Sequence, residues 1–169
     1  MIDCAVIGAG QAGLSTSYHL TQLGVEHVVL ERGRVGETWR STRWDSFFLN
    51  TPNWCTRLPG LATSGADPDG FASLREVVEM LTSYAQDIGA PVQTTDVTGL
   101  HSSGGEFELQ LVDDALVARS VVVATGAFQQ PLSNAASPTV PAGVVQMHTS
   151  AYRNPDQLPE GGVLIVGSG

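Results

Sequence analysis

An apolar run, Cys4-Ala5-Val6-Ile7, leads straight into Gly8-Ala9-Gly10-Gln11-Ala12-Gly13. A second apolar run, Val28-Val29-Leu30, ends on Glu31. Each glycine at this spacing has its own use. Gly8 permits a tight turn after a strand, Gly10 admits a ligand with no Cβ in the way, and Gly13 lets the following helix lie close to the sheet. A helix starting at that turn points its free N–H groups and the positive end of its dipole at whatever sits there. A carboxylate closing the next strand accepts from both ribose hydroxyls and repels a 2′-phosphate. The layout predicts strands over Ile2–Ile7 and His27–Glu31 and a Rossmann-like α/β fold. On the motif alone the ligand of this first site is FAD or NAD, not NADP. Gly8, Ala9, Gly10, Gln11, Ala12, Gly13, Glu31 and its neighbour Arg32 are the candidate cofactor-binding residues. Arg32 and Arg34 suit either a phosphate or a solvated face.

A chain of 169 residues buries a core for one domain, or for one domain and a piece of another. Its net charge of −9 repels polyanions, which argues against nucleic acid and acidic membrane surfaces as partners. No stretch is long enough to span a bilayer. Asp3 stands where a secretory leader carries basic residues, so no leader is expected. Cys4 and Cys55 form neither a CxxC pair nor a metal-ligand spacing, so no metal is expected and a cytoplasmic, reduced protein is the default.

Residues 11–23 read as a helix with Leu14, Tyr18, Leu20 and Leu23 on its packed side, stopped by Gly24. Residues 32–70 show no clean period and read as a ligand-covering segment. Its Trp39, Trp44, Phe47, Phe48 and Trp54 call for burial. Ser73-Leu74-Arg75-Glu76 is a capping box. It opens a helix with Leu74, Val77, Val78, Leu81, Tyr84, Ala85 and Ile88 on one side, ending at Gly89. A strand follows Pro91. Short strands near 96–100, 106–111 and 116–118 predict a small antiparallel meander beside a central parallel sheet. A separate apolar strand over 120–124 is placed in that sheet, broken by Thr125-Gly126. Residues 127–161 read mostly as connection. Then Val163-Leu164-Ile165-Val166-Gly167-Ser168-Gly169 repeats the opening pattern. This divides the chain into a cofactor-binding domain over 1–140, a linker over 141–160, and the first strand and turn of an incomplete second dinucleotide-binding domain over 161–169.

Arg40 and Arg43 flank Trp39 and Trp44. Such a cluster either covers a planar ring and offsets phosphate charge, or is a tryptophan-pinned loop with solvated arginines. His148 lies in a polar segment with Tyr152 and Arg153. It suits acid–base work near neutral pH, or ties the linker down by hydrogen bonds. There is no GxSxG elbow, no HExxH and no paired-carboxylate spacing. That fits a protein whose cofactor carries the chemistry.

The chain resembles the flavin-containing monooxygenase superfamily, in particular bacterial class B flavoprotein monooxygenases, over all 169 residues. The resemblance rests on the first glycine motif, Glu31-Arg32, Gly36-Glu37-Thr38-Trp39-Arg40 and Arg43-Trp44-Asp45-Ser46. It continues through Leu49-Asn50-Thr51-Pro52, Leu58-Pro59-Gly60, Val122-Val123-Ala124-Thr125-Gly126, the stretch 146–155 and Val166-Gly167-Ser168-Gly169. It implies FAD on the first glycine motif, with Glu31 on the adenosine ribose and the Val97 backbone on adenine. Thr38, Trp39 and Arg40 would run beside the flavin, as would the loop of Trp44 and Asn50. Thr125 and Gly126 would approach the cofactor at a chain crossing, and Gly167 and Gly169 would begin a site for NADPH or NADH. Asn50 and His148 are then the candidate catalytic residues. The implied reaction takes hydride from the nicotinamide to FAD. The reduced flavin takes O₂ to a C4a-(hydro)peroxide, which oxygenates a small organic substrate. Tyr152 where the Baeyer–Villiger form has tryptophan favours N- or S-oxygenation.

Members of that superfamily need the rest of the nicotinamide domain and a returning segment. On this reading the 169 residues alone would be inactive, unless a complementing chain or a second copy supplied the rest. Two other readings stay open: an NAD(P)H-flavin oxidoreductase or oxidase without oxygen transfer, and a non-catalytic FAD-binding module. A disulfide reductase is disfavoured, because the chain has no redox cysteine pair.

Overall fold

The computed structural model describes residues 1–61, 67–127, 140–141 and 143–167. Its elements are β1 (Ile2–Ile7), α1 (Gln11–Gln22), β2 (His27–Glu31), α2 (Glu37–Thr42), α3 (Leu74–Asp87), β3 (Val92–Thr94), β4 (Val97–Ser103), β5 (Glu106–Leu111) and β6 (Ala115–Val123). Short 3₁₀ turns lie at Asn53–Cys55 and Pro155–Gln157. One six-stranded sheet has the order β3-β2-β1-β6-β5-β4. The β3-β2-β1-β6 pairs are parallel and the β6-β5-β4 pairs antiparallel. This is the expected Rossmann-like α/β fold with a meander attached.

The core follows the period-two alternation of β1. Cys4 and Val6 join Leu14, Val29, Val77, Leu81 and Tyr84 in a cluster that includes α1 and α3. Ala5, between them, joins Leu30, Leu109 and Ala118 in a second cluster, which the meander strands help to build. Both helices end in the same way. The amide after each terminal glycine bonds back across the last turn, Val25 to the Leu20 carbonyl (2.9 Å) and Ala90 to the Ala85 carbonyl (2.9 Å). Gly24 (φ +67°) and Gly89 (φ +61°) take the left-handed conformation this closure needs. The capping box of α3 forms in full, with Ser73 and Glu76 each bonding the other's backbone N–H.

Several expectations change. Leu23 is 76% exposed, because the chain turns away at the helix end instead of continuing the packed stripe. The two strands expected at 116–118 and 120–124 are one strand, β6. Arg119 and Ser120 interrupt the apolar pattern but not the ladder: Ala118 pairs with Ile2 and Ser120 with Cys4. The Arg119 guanidinium reaches Asp3 at 3.0 Å. The irregular stretch after β2 contains α2, entered through Gly36 at φ +70°. Phe48 (58%) and Trp54 (53%) are exposed, so burial of the aromatic set stops at Trp39, Trp44 and Phe47, which pack on one another. No strand forms over 163–166, whose side chains are 63–87% exposed, since no described strand pairs with them. Among the described residues no helix is long and apolar enough to cross a membrane.

Candidate cofactor-binding site

The glycine turn sits where β1, α1 and the end of β6 meet. A Cβ on Gly8 would lie 2.6 Å from the Ala124 carbonyl oxygen, and Gly8 has φ +108°. A Cβ on Gly13 would lie 1.8 Å from the Gly8 carbonyl oxygen. These two glycines are demanded by the protein's own backbone. Gly10 differs: nothing lies within 4 Å of the space its Cβ would take. Gly10 is also the N-cap of α1, with no side-chain cap and no acidic residue in the first turn. The helix therefore presents amides and a positive dipole end to open space, as an anion requires.

Glu31 closes the site from β2. Its Oε2 accepts from the Ala9 amide at 2.8 Å and its Oε1 from the Gly33 amide at 3.0 Å. The residue is 9% exposed. One carboxylate thus braces the glycine turn and also lines the adjoining cavity. The sequence shows no sign of this bracing bond, which spans 22 positions. The Gly36 amide donates to the Ala9 carbonyl at 3.1 Å, so the entry to α2 closes on the same turn.

A cavity of about 150 Å³ opens beside Gly8 and Glu31, walled also by Arg32, Thr38, Val97 and Thr125. It brings together six candidate residues from five separate stretches of sequence. Ile7 and Leu30 also line it, from the ends of β1 and β2, as do Thr95 and Asp96. The last two are the unforeseen ones. They carry no motif, and only their position next to Val97 could have drawn notice. The cavity is too small to enclose a whole dinucleotide. A larger depression of about 530 Å³ lies at the opposite ends of α1 and α3, lined by Tyr18, Tyr84 and Asp87. Gly60 (φ +75°) also lines it, but no helix N-terminus does.

The other candidates fall outside this cavity. Arg40 turns toward α3, donating to Thr82 Oγ1 at 3.0 Å and to the Val35 carbonyl at 3.3 Å. Arg43 stacks over Trp39 at 5.0 Å and over Phe47 at 5.6 Å. Trp44 meets Phe47 edge-on at 5.0 Å. These residues form a ring-lined wall after α2. Gln11 and Ala12 occupy the exposed first turn of α1, and Gly126 (φ +80°) follows the chain crossing at Thr125. Asn50 is exposed in the loop before the first 3₁₀ turn. His148 is exposed as well, its Nδ1 accepting from the Ser150 amide at 3.2 Å and pairing with Ser150 Oγ at 2.8 Å. Both bonds stay within the segment, two positions along the chain. Gly167 is exposed, and Gly169 lies outside the described residues.

Burial pushes the Cys4 thiol up, which keeps it protonated, and Cys55 is exposed and free. Two such thiols make no redox pair. Among the described residues no group of His, Cys, Asp or Glu is placed to hold a metal.

Sheet order, glycine turn, uncapped helix and carboxylate together define a Rossmann-like α/β unit. The chain belongs to the pyridine nucleotide-disulphide oxidoreductase family, whose model matches residues 5–169. Its relatives place it with the flavin monooxygenase-type members, as the sequence resemblance implied. An oxidoreductase from Geobacillus kaustophilus described as uncharacterized and CzcO-like is 40% identical over 171 residues, covering 100% of this chain and 49% of its own length. The indole-3-pyruvate monooxygenase YUCCA1 of Oryza sativa is 31% identical, covering 97% of this chain and 41% of its own. Among solved structures, a mutant flavin monooxygenase from Stenotrophomonas maltophilia superposes with TM-score 0.78 at 27% identity, over 92% of this chain and 47% of that one. The chain spans about half the length of the curated relatives it matches.

Proposed function

We propose that the glycine turn binds the pyrophosphate of FAD, with the adenosine in the cavity between Glu31 and Val97. On this reading the protein acts as an NAD(P)H-dependent flavin monooxygenase on a small organic substrate and O₂. The observation that carries it is the pairing of an uncapped, unobstructed helix N-terminus at Gly10 with a carboxylate 21 positions on that lines the adjoining cavity. The bound flavin supplies hydride acceptance and oxygen activation. The chain's own residues bind and orient it. The α1 amides take the diphosphate charge, and Glu31 accepts from the ribose hydroxyls. The ring-lined wall of Trp39, Trp44 and Phe47 offers a half-buried apolar surface beside α2.

The same reading assigns residues 1–140 to the FAD unit, 141–160 to a linker, and 161–169 to the start of a nicotinamide unit. NADPH or NADH binds there in the full protein, in the cytoplasm. Tyr152 supports soft nitrogen or sulfur nucleophiles over ketones as substrates. The test is flavin loading of the full protein, followed by turnover with NADPH or NADH under labelled O₂ with a sulfide or tertiary amine. Label in the organic product supports the monooxygenase. Peroxide release with no labelled product overturns it in favour of an oxidase.

A further inference from the structure

Helix α2 is only six residues long, too short to hold its own conformation. Its position is set at both ends by other parts of the chain. At its start, Gly36 bonds to the Ala9 carbonyl of the glycine turn. At its end, the carbonyls that a helix leaves without intrahelical partners meet Arg153, more than 100 positions away. Arg153 Nη2 donates to the Ser41 carbonyl, and Nη1 reaches the Arg43 carbonyl at 3.4 Å. The same Nη1 holds its own segment in shape through the Ser150 carbonyl (3.0 Å) and the Tyr152 carbonyl (2.9 Å). Two further bonds join the same two segments. The Asp45 amide donates to the Arg153 carbonyl at 2.8 Å, and Asn154 Nδ2 donates to Asp45 Oδ2 at 2.6 Å.

A guanidinium is suited to this place. Its planar fork serves several carbonyls at once, and its charge complements the negative end of the helix dipole. An ammonium offers the charge without the fork. From the structure we infer that Arg153 is a positioning residue that clasps segment 148–157 to the end of α2 and so holds Thr38, at the other end of α2, in the wall of the cofactor cavity. The geometric part stands on these contacts. The consequence for cofactor rests on the FAD reading. Linkage is reciprocal: what fixes α2 favours the ligand, and the ligand tightens the clasp.

The test compares wild type with Arg153→Met, which keeps the apolar stem, and Arg153→Lys, which keeps the charge. Amide hydrogen exchange is followed at residues 36–39 and 43–45 without cofactor. FAD affinity is then read by flavin fluorescence. Arg153→Met is expected to speed exchange at both stretches, leave β1 and α3 unchanged, and weaken FAD about tenfold. Arg153→Lys recovers less than half of the loss. Asn154→Ala, which removes the bond to Asp45 together with the Asn154 cap on the Asp156 amide, gives the same pattern at smaller size and decides the matter if Arg153→Met does not fold. Unchanged exchange at 36–39 overturns the clasp, and so does an FAD affinity within about twofold of wild type while exchange at 43–45 rises. If wild type itself binds no FAD, the functional reading fails, and exchange at 36–39 alone decides for or against the clasp.

Discussion

Cys4-Ala5-Val6-Ile7 and Val163-Leu164-Ile165-Val166 are both four-residue apolar runs followed in sequence by Gly-x-Gly. The first is the centre of the molecule: Cys4, Ala5 and Val6 are 4%, 0% and 0% exposed. The second is 63%, 87%, 78% and 79% exposed and forms no strand. Local β-propensity is as high in the second run as in the first. What differs is the neighbours. The first run has β2 on one edge, β6 on the other, and a packed cluster on each face. A strand is a relation between segments, and only the first run has its relations among the described residues.

The contrast can be broken from either side. The largest effect is expected at Gly13, where a Cβ would fall 1.8 Å from the Gly8 carbonyl oxygen. Gly13→Ala cannot be relieved by a side-chain rotation, so denaturant unfolding is expected to lose more than about 3 kcal/mol. Next is Leu81, fully buried on α3 in the cluster beneath β1. Leu81→Ala is expected to lower stability by roughly 3 kcal/mol in the same assay.

Ser73→Ala removes one half of the capping box and is expected to cost about 1 kcal/mol. This effect has a pH signature. The Ser73 hydroxyl, then the Ser73 amide, holds the Glu76 carboxyl below the usual carboxylate range. A group with a lowered folded pKa stabilises above its ordinary pKa and loses that contribution as pH falls through the lowered value. The gap between wild type and Ser73→Ala therefore narrows toward acid, which a pH series of unfolding curves checks. The smallest effect is expected at Ile165→Ser in the exposed run, within about 0.5 kcal/mol of wild type. A loss comparable with Leu81→Ala would mean that the second run packs in solution as the first does.

What was legible in the sequence follows the same division. The strands β1 and β2, the helix α1, the capping box and both glycine stops are set by residues within a few positions of one another, and they stand where local rules put them. The cavity was legible where a motif marked it, at Gly8, Glu31 and Arg32. The family resemblance added Thr38, Val97 and Thr125. Thr95 and Asp96 were not visible, because nothing but the fold brings them there. The long strand β6 was hidden by Arg119 and Ser120, whose polarity says nothing about backbone pairing. The six-residue helix α2 was hidden because its termini are held by Ala9 and Arg153, contacts that no window of sequence contains.

The central claim is that the amides at the start of α1 receive a diphosphate, and Gly10→Asp tests it most directly. Aspartate is a favoured N-cap and meets no atom within 4 Å at its Cβ, so the unfolding midpoint should be no lower than that of wild type. Its charge occupies the phosphate position, and FAD binding by fluorescence titration should fall at least about 100-fold. A Gly10→Asp protein that binds FAD as wild type does, or a wild type that does not bind it, would contradict the account.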